Sequence, residues 1–389
     1  MYFKSSVSSR VVVLIVLICF IATIGLMGCS KKAEEKAQAS VIKVGWIAPF
    51  SGNYAWAGEY LLNGAKLAAE EINAKGGVNG VKIDIVYEDD GGDPTKSVNA
   101  TIKLIEKDKV NIIMGPFNSS CTLANMKETE RRQMPQITFS LSPVITKQNN
   151  QWIFRMSPSD EVTMTSILEY AVKVQGKKNI AFLTDTTDYG TGGYIVGAPY
   201  LEKNGLKPLT NEKFNIPDKD FTAQLLNIKK ANPDALLLHG DEADCGLIAK
   251  QRIQLGMKDL EIIGGLPLTG TKYLETGGAE AVEGTIVATS FLASNPSPKV
   301  QDFVKNFTQK YGYAPEARCA AAYDGMYILA EALKHSQGKI DNISLRDAIR
   351  KVQNMEGVQG VFNFDEVGEG LHTVLKGIYR SGKIEFLAK

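Results

Sequence analysis

The chain has 389 residues, 44% of them hydrophobic and 22% charged, a composition that excludes intrinsic disorder for most of its length. At roughly 150 residues per domain, two domains are predicted, each able to bury its own core. The 44 Lys and Arg residues face 43 Asp and Glu, for a formal charge of +1, so there is no electrostatic footprint for nucleic acid.

The N-terminus reads as a targeting segment. Lys4 and Arg10 precede the apolar run Val11 to Ile24, and the small residues Gly25 and Gly28 follow. That is the layout of a secretory signal, although Val11 to Met27 is also long enough to be considered as a membrane helix. Leu26-Met27-Gly28-Cys29 resembles the bacterial lipobox, with Met27 a mild departure from it. The resemblance implies removal of residues 1–28 and lipidation of Cys29, and two acyl chains anchor a protein without a spanning helix. Residues 29–40 hold no large apolar side chain and read as a tether. Cys121, Cys245 and Cys319 remain, an odd number that cannot pair fully.

From residue 41 the pattern is apolar strand, polar loop and amphipathic helix, repeated. Strands are predicted at Ile42 to Ala48, Val81 to Tyr87, Val110 to Gly115 and Gln136 to Phe139. Helices alternate with them at Tyr60 to Asn73, Pro94 to Glu106 and Thr122 to Arg132. A second series opens at Ser159 and Asp160, which can cap a helix over Glu161 to Val174. It continues with strands Asn179 to Thr184, Lys207 to Phe214, Ala235 to His239 and Glu261 to Ile263. The helices between them are Tyr189 to Asn204, Phe221 to Lys230 and Ala243 to Gln254. Helices at Pro298 to Tyr311, Ala320 to His335 and Ser344 to Val352 follow, then a hairpin over Leu375 to Leu387. Two tandem βα series imply an α/β fold with two parallel-rich sheets. In such sheets, ligands sit beyond the carboxyl ends of the strands.

Common catalytic signatures are absent there. Gly190-Thr191-Gly192 follows a strand, but Ile195 stands where a dinucleotide fingerprint needs its third glycine. Thr271 and Lys272 are in the wrong order for a phosphate-binding loop, and no HExxH, CxxC or GxSxG occurs. Neither a metal nor a cofactor is expected, nor is enzymatic activity.

A more specific signal is an ordered set of short motifs. It opens with Ser51-Gly52, Asn63-Gly64-Ala65, Glu71 to Gly80, Asp89-Asp90 and Asp93-Pro94. It continues through Gly115-Pro116, Ser119-Ser120, Pro135, Phe154-Arg155, Pro158 to Asp160, Asp188 to Gly190, Leu255-Gly256 and Tyr323 to Gly325. The set resembles the branched-chain amino acid binding proteins, extracytoplasmic type I solute receptors of ABC transporters, over nearly the whole body. That resemblance implies two Rossmann-like lobes joined by a multi-crossover hinge, closing on a small-molecule solute and docking on ABC permease subunits. It places lobe 1 at residues 41–159 with 291–360, and lobe 2 at 160–290 with 361–389. It further implies an exported monomer on the periplasmic or extracellular face, held to the membrane only by its lipid, without nucleic acid.

The family's carboxylate-binding loop aligns with Asn118 to Thr122, where Ser119, Ser120 and Cys121 precede a helix; the same residues also suit simple helix capping. Thr138, Ser140, Leu141 and Ser142 fall at the second carboxylate contact. Trp56 is placed to cover the solute's apolar part or to pack. Tyr189 aligns with a pocket tyrosine, and Asp160 is either at the pocket or a helix cap. Relatives have an ammonium-accepting acid near Leu266, and here it is missing. Asp241 and Glu242 are candidates to replace it, or to read a cationic group elsewhere on the solute; the helix dipole alone also favours acids there. Two other readings are a ligand-sensing receptor of the amide-regulator type and an enzyme on this scaffold using Cys121 or Cys245.

Overall fold

The structure, a computed structural model, describes residues 40–387. The signal segment, Cys29 and most of the tether lie outside the described residues. Among the described residues, no helix is long and apolar enough to cross a membrane.

Apolar runs with few polar interruptions make strands that are covered on both faces, as parallel sheets require. The first sheet holds β1 (Val41–Ala48), β2 (Lys82–Asp89), β3 (Ile112–Met114), β4 (Gln136–Thr138) and β5 (Ile153–Arg155). Their order is β2-β1-β3-β4-β5 and every pairing is parallel. Helices α1 (Ala55–Ala74), α2 (Pro94–Glu106) and α3 (Ser119–Arg131) connect them. Pro94 opens α2, and the Asp93 side chain caps it by accepting from Lys96 N at 2.8 Å.

The second sheet begins after α4 (Asp160–Glu169), with β6 (Ile180–Asp185), α5 (Gly190–Lys203), β7 (Thr210–Phe214), α6 (Thr222–Ala231), β8 (Ala235–His239), α7 (Glu242–Gln254) and β9 (Glu261–Gly264). The short helices α8 (Thr271–Gly277) and α9 (Ala279–Val282) lead to β10 (Ile286–Thr289). The chain then returns to the first sheet with α10 (Pro298–Tyr311), α11 (Ala317–His335) and α12 (Asn342–Arg350). The two-residue strands β11 (Met355–Glu356) and β12 (Val361–Phe362) pair with each other. A final crossing delivers the hairpin β13 (Leu375–Arg380) and β14 (Lys383–Phe386) to the second sheet, in the order β14-β13-β10-β9-β8-β6-β7.

The first core lies between its sheet and α1, α10, α11 and α12. Small residues let α1 and α11 approach closely: a Cβ on Gly64 would stand 2.1 Å from the Cys319 carbonyl oxygen. Phe362, Phe364 and Leu371 also belong to this core, so the chain stays with the first lobe past residue 360. The second sheet is buried on one face by α6, α7 and Tyr273, and on the other by α4 and α5.

The crossings are braced by buried polar groups. The Arg155 guanidinium, fully buried, donates to the carbonyls of Ser140 at 3.0 Å and Ser142 at 2.9 Å and forms an ion pair with Glu369 at 3.1 Å. Ser290 donates to Gln359 at 2.7 Å. The Asp324 carboxylate accepts from the N–H groups of Val358 and Gln359 at 2.9 and 3.0 Å.

Candidate functional site

A cavity of about 150 Å³ opens where the carboxyl ends of both sheets face each other. Strand ends supply it because loops and helix N-termini there leave backbone groups unpaired. From the first lobe come Tyr54 before α1, Phe117 to Ser120 at the start of α3, Leu141 after β4, and Arg318 in the first turn of α11. From the second come Asp185 and Tyr189 after β6, Asp241 and Glu242 at the start of α7, and Leu266 with Pro267 after β9.

The first-lobe wall is a donor wall. Helix α3 begins at Ser119, earlier than its predicted start at Thr122, and this puts Ser119 and Ser120 in the first turn. The first N–H groups of a helix have no intrahelical acceptor, so at Ser119 and Ser120, which line the cavity, they are free for a ligand with the helix dipole behind them. Asn118 makes no side-chain capping bond, and its buried Oδ1 has no hydrogen-bond partner.

The second-lobe wall is an acceptor wall. The Asp241 side chain caps α7 by accepting from Ala243 N at 3.0 Å. Burial pushes its carboxyl above the ordinary range, against the pull of the Ala243 N–H and of Arg318. Asp185 is fully buried, and burial raises its carboxyl too, opposed by bonds from Thr187 N and Thr187 Oγ1. The glycine-rich start of α5, which fails as a dinucleotide fingerprint, has a packing role. A Cβ on Gly190 would stand 2.2 Å from Asp185 Oδ1, and one on Gly193 2.6 Å from the His239 ring.

Arg318 joins the two walls. Its guanidinium forms an ion pair with Glu242 of the other lobe and lies 3.2 Å from Glu316. It stacks over Trp56 at 4.8 Å and Phe117 at 5.2 Å from the ring centres. Burial alone would lower its pKa, but Glu242 and Glu316 hold it charged. Burial pushes the Glu242 carboxyl upward, and the guanidinium opposes that shift.

Of the residues singled out from the sequence, Ser119, Ser120, Leu141, Tyr189, Asp241, Glu242 and Leu266 line the cavity. Trp56 stands behind Arg318 and packs edge-on against Tyr60 at 5.9 Å. Thr138 and Ser140 are buried, and their hydroxyls bond to Thr122 and to the carbonyls of Pro116 and Phe117, shaping the loop from below. Ser142 contributes its N–H, which donates to Ser119 Oγ at 3.3 Å. Asp160 is the first residue of α4; its carboxylate lies 3.4 Å from His239 Nε2, while the cap position falls to Ser159. His239 Nδ1 in turn faces the Tyr189 hydroxyl at 3.3 Å. Cys121 and Cys245 are buried, and burial raises both thiols well above their usual values, so neither is an activated nucleophile.

Sequence reasoning missed Arg318, Asp185, Tyr54 and Phe117. Arg318 falls outside the predicted helix start at Ala320 because Glu316, the residue before the observed helix, makes no side-chain capping bond. Its signal was a lone cation in the small-residue run Ala317 to Ala322. Asp185 lies one residue past the predicted strand end, where ligands of parallel sheets gather.

Among the described residues no group of three or more His, Cys, Asp or Glu is placed to hold a metal ion.

Comparison with known proteins agrees with this fold. The periplasmic binding protein family matches residues 41–375. A Leu/Ile/Val-binding protein homolog of Brucella abortus is 28% identical over 348 residues, 89% of this chain and 92% of its own length. A leucine-binding protein of Thermotoga maritima superposes with a TM-score of 0.82 at 30% identity, covering 89% of this chain and 98% of that one. A branched-chain amino acid transporter substrate-binding protein of Streptococcus pneumoniae, in complex with isoleucine, gives 0.81 at 26% identity, with 89% and 98% coverage.

Proposed function

Because this chain belongs to the periplasmic binding protein family, we propose that it captures a small amino acid or related carboxylate or amide between its two lobes and hands it, unchanged, to the permease of an ABC importer. The observation that carries this reading is the complementary pair of walls: α3 N–H groups with Ser119 and Ser120 on one side, and carboxylates Asp241 and Asp185 on the other. A zwitterion spans them. Its carboxylate meets the helix N-terminus, its ammonium meets Asp241, and Leu266, Leu141 and Phe117 enclose its apolar part.

Lobe closure needs a ligand that binds the closed form better than the open one, which is why the solute touches both lobes. A micromolar dissociation constant corresponds to about 8.2 kcal/mol. Charge-assisted hydrogen bonds at about 1.5–3 kcal/mol each, with apolar burial, reach that figure. The lobes move as bodies, with residues 41–159 and 291–371 in one and 160–290 and the C-terminal hairpin in the other.

The protein acts as an exported monomer tethered through a lipid on Cys29. Substitution Cys29→Ser should release it from membranes in a fractionation assay. The capture reading is tested by isothermal titration against a panel of small amino acids, amides and carboxylates. One saturable site per chain is expected, weakened at least about tenfold by Ser119→Ala with Ser120→Ala. Heat-free titrations across the panel overturn it.

A further inference from the structure

The cavity carries more acid than a zwitterion needs. Strands β6 and β8 pair in parallel with Thr184 opposite His239, so the next residues outward, Asp185 and Gly240, stand side by side and Asp241 follows. Both carboxylates border the cavity. Asp185 is 0% exposed, and while its Oδ1 accepts from Thr187 N at 2.8 Å, its Oδ2 has no hydrogen-bond partner. That free oxygen lies beside Gly240, where a Cβ would stand only 3.1 Å away.

The cations of the site are already committed. Arg318 is held between Glu242 and Glu316, and His239 is paired with Asp160 at 3.4 Å. On the capture reading above, the solute's carboxylate takes the α3 N-terminus and its ammonium takes Asp241. Asp185 is then a buried carboxylate at the cavity wall whose Oδ2 receives no hydrogen bond, and the one cation that acts on it, His239, is already shared with Asp160. A buried charge is retained at a heavy desolvation cost unless it is paired.

We infer that the solute is an amino acid with a second cationic group, an ammonium or guanidinium on its side chain, received by the free oxygen of Asp185. This rests on the capture reading and narrows it to net-positive amino acids. Leu266 and Pro267, from the same lobe as the acids, also line the cavity and supply apolar surface for an alkyl stem.

L-Lysine and L-norleucine share a carbon skeleton and differ by the terminal ammonium, so the pair isolates the inferred contact. Titration of the intact protein with L-lysine, L-arginine and L-norleucine should show at least one of the cationic pair binding about tenfold or more tighter than norleucine, as one charge-assisted hydrogen bond provides. Asp185→Asn should abolish that ratio, lowering affinity for the cationic amino acid about tenfold or more beyond any loss it causes for norleucine. Norleucine binding as tightly as both cations overturns this inference and leaves amino acid capture standing; no binding by any of the three also overturns this inference, and capture falls with it only when the wider panel of amino acids, amides and carboxylates is silent too. A cation preference that survives Asp185→Asn overturns the assignment to Asp185. If the variant does not fold, a crystal structure of the wild-type complex decides: a side-chain cation within about 3.2 Å of Asp185 Oδ2 supports the inference, and one outside hydrogen-bond reach contradicts it.

Discussion

Arg318 of the first lobe and Glu242 of the second form an ion pair across the cleft, walled by Trp56 and Phe117. Removing one partner of a buried pair costs about 3–5 kcal/mol when the other must stay buried. Here Arg318 need not stay buried, because opening the lobes returns it to water. Glu242→Gln is therefore expected to weaken solute binding about tenfold or more through the closure equilibrium, while the unfolding temperature of the solute-free protein changes little. Titration and calorimetry on the same samples check this; a large stability loss at unchanged affinity contradicts it.

Asp241 caps α7 and Asp244 sits in its first turn, but of the two only Asp241 lines the cavity. Loss of a charge-assisted hydrogen bond costs about 1.5–3 kcal/mol, or roughly one to two orders of magnitude in affinity. Asp241→Ala should show that loss for a zwitterionic solute, and Asp244→Ala should not. Equal effects from the two substitutions mean that the helix terminus as a whole, rather than the Asp241 carboxylate, receives the solute.

Burial pushes the Asp324 carboxyl up to about 6, although the N–H groups of Val358 and Gln359 pull it down. Its unfolded value is 3.8, so between these limits the folded chain holds the extra proton and stability falls as pH rises. The contribution, on the order of a few kcal/mol, is present below the unfolded value and gone above the folded one. Urea unfolding from pH 4 to pH 7 should therefore show the wild type losing stability relative to Asp324→Asn across this window. Parallel curves count against it.

Arg155 fixes the loop below the donor wall by donating to the carbonyls of Ser140 and Ser142, and it pairs with Glu369 beside the last crossing. It is fully buried, and nothing about lobe opening offers it water. Arg155→Met is expected to lower unfolding free energy by about 3–5 kcal/mol, measured by urea denaturation, the opposite pattern to Glu242→Gln. A loss under 1 kcal/mol, a typical surface-pair value, contradicts the brace.

The strands from Ile42 to Ala48 and Ala235 to His239 were legible because parallel sheets write continuous apolar runs. Helix starts were less legible. Helices α1, α3 and α11 all begin before their apolar periodicity does, without a side-chain capping bond, and the first turns of α3 and α11 line the cavity. Asp241 was legible because an acid before a helix has a local reason to be there. Arg318 was not, since its partner Glu242 lies far away in sequence and only the fold joins them. Thr138 and Ser140 read as cavity hydroxyls, and a sequence does not reveal that Thr122 and the Pro116 and Phe117 carbonyls claim them first.

The most direct measurement is a crystal structure of the protein with its solute. Capture between the lobes predicts one molecule in the cleft whose anionic group lies within hydrogen-bond distance of Ser119 or Ser120 and whose cationic group contacts Asp241 or Asp185 at the same time. A solute bound to one lobe alone, or outside the cavity, contradicts the account.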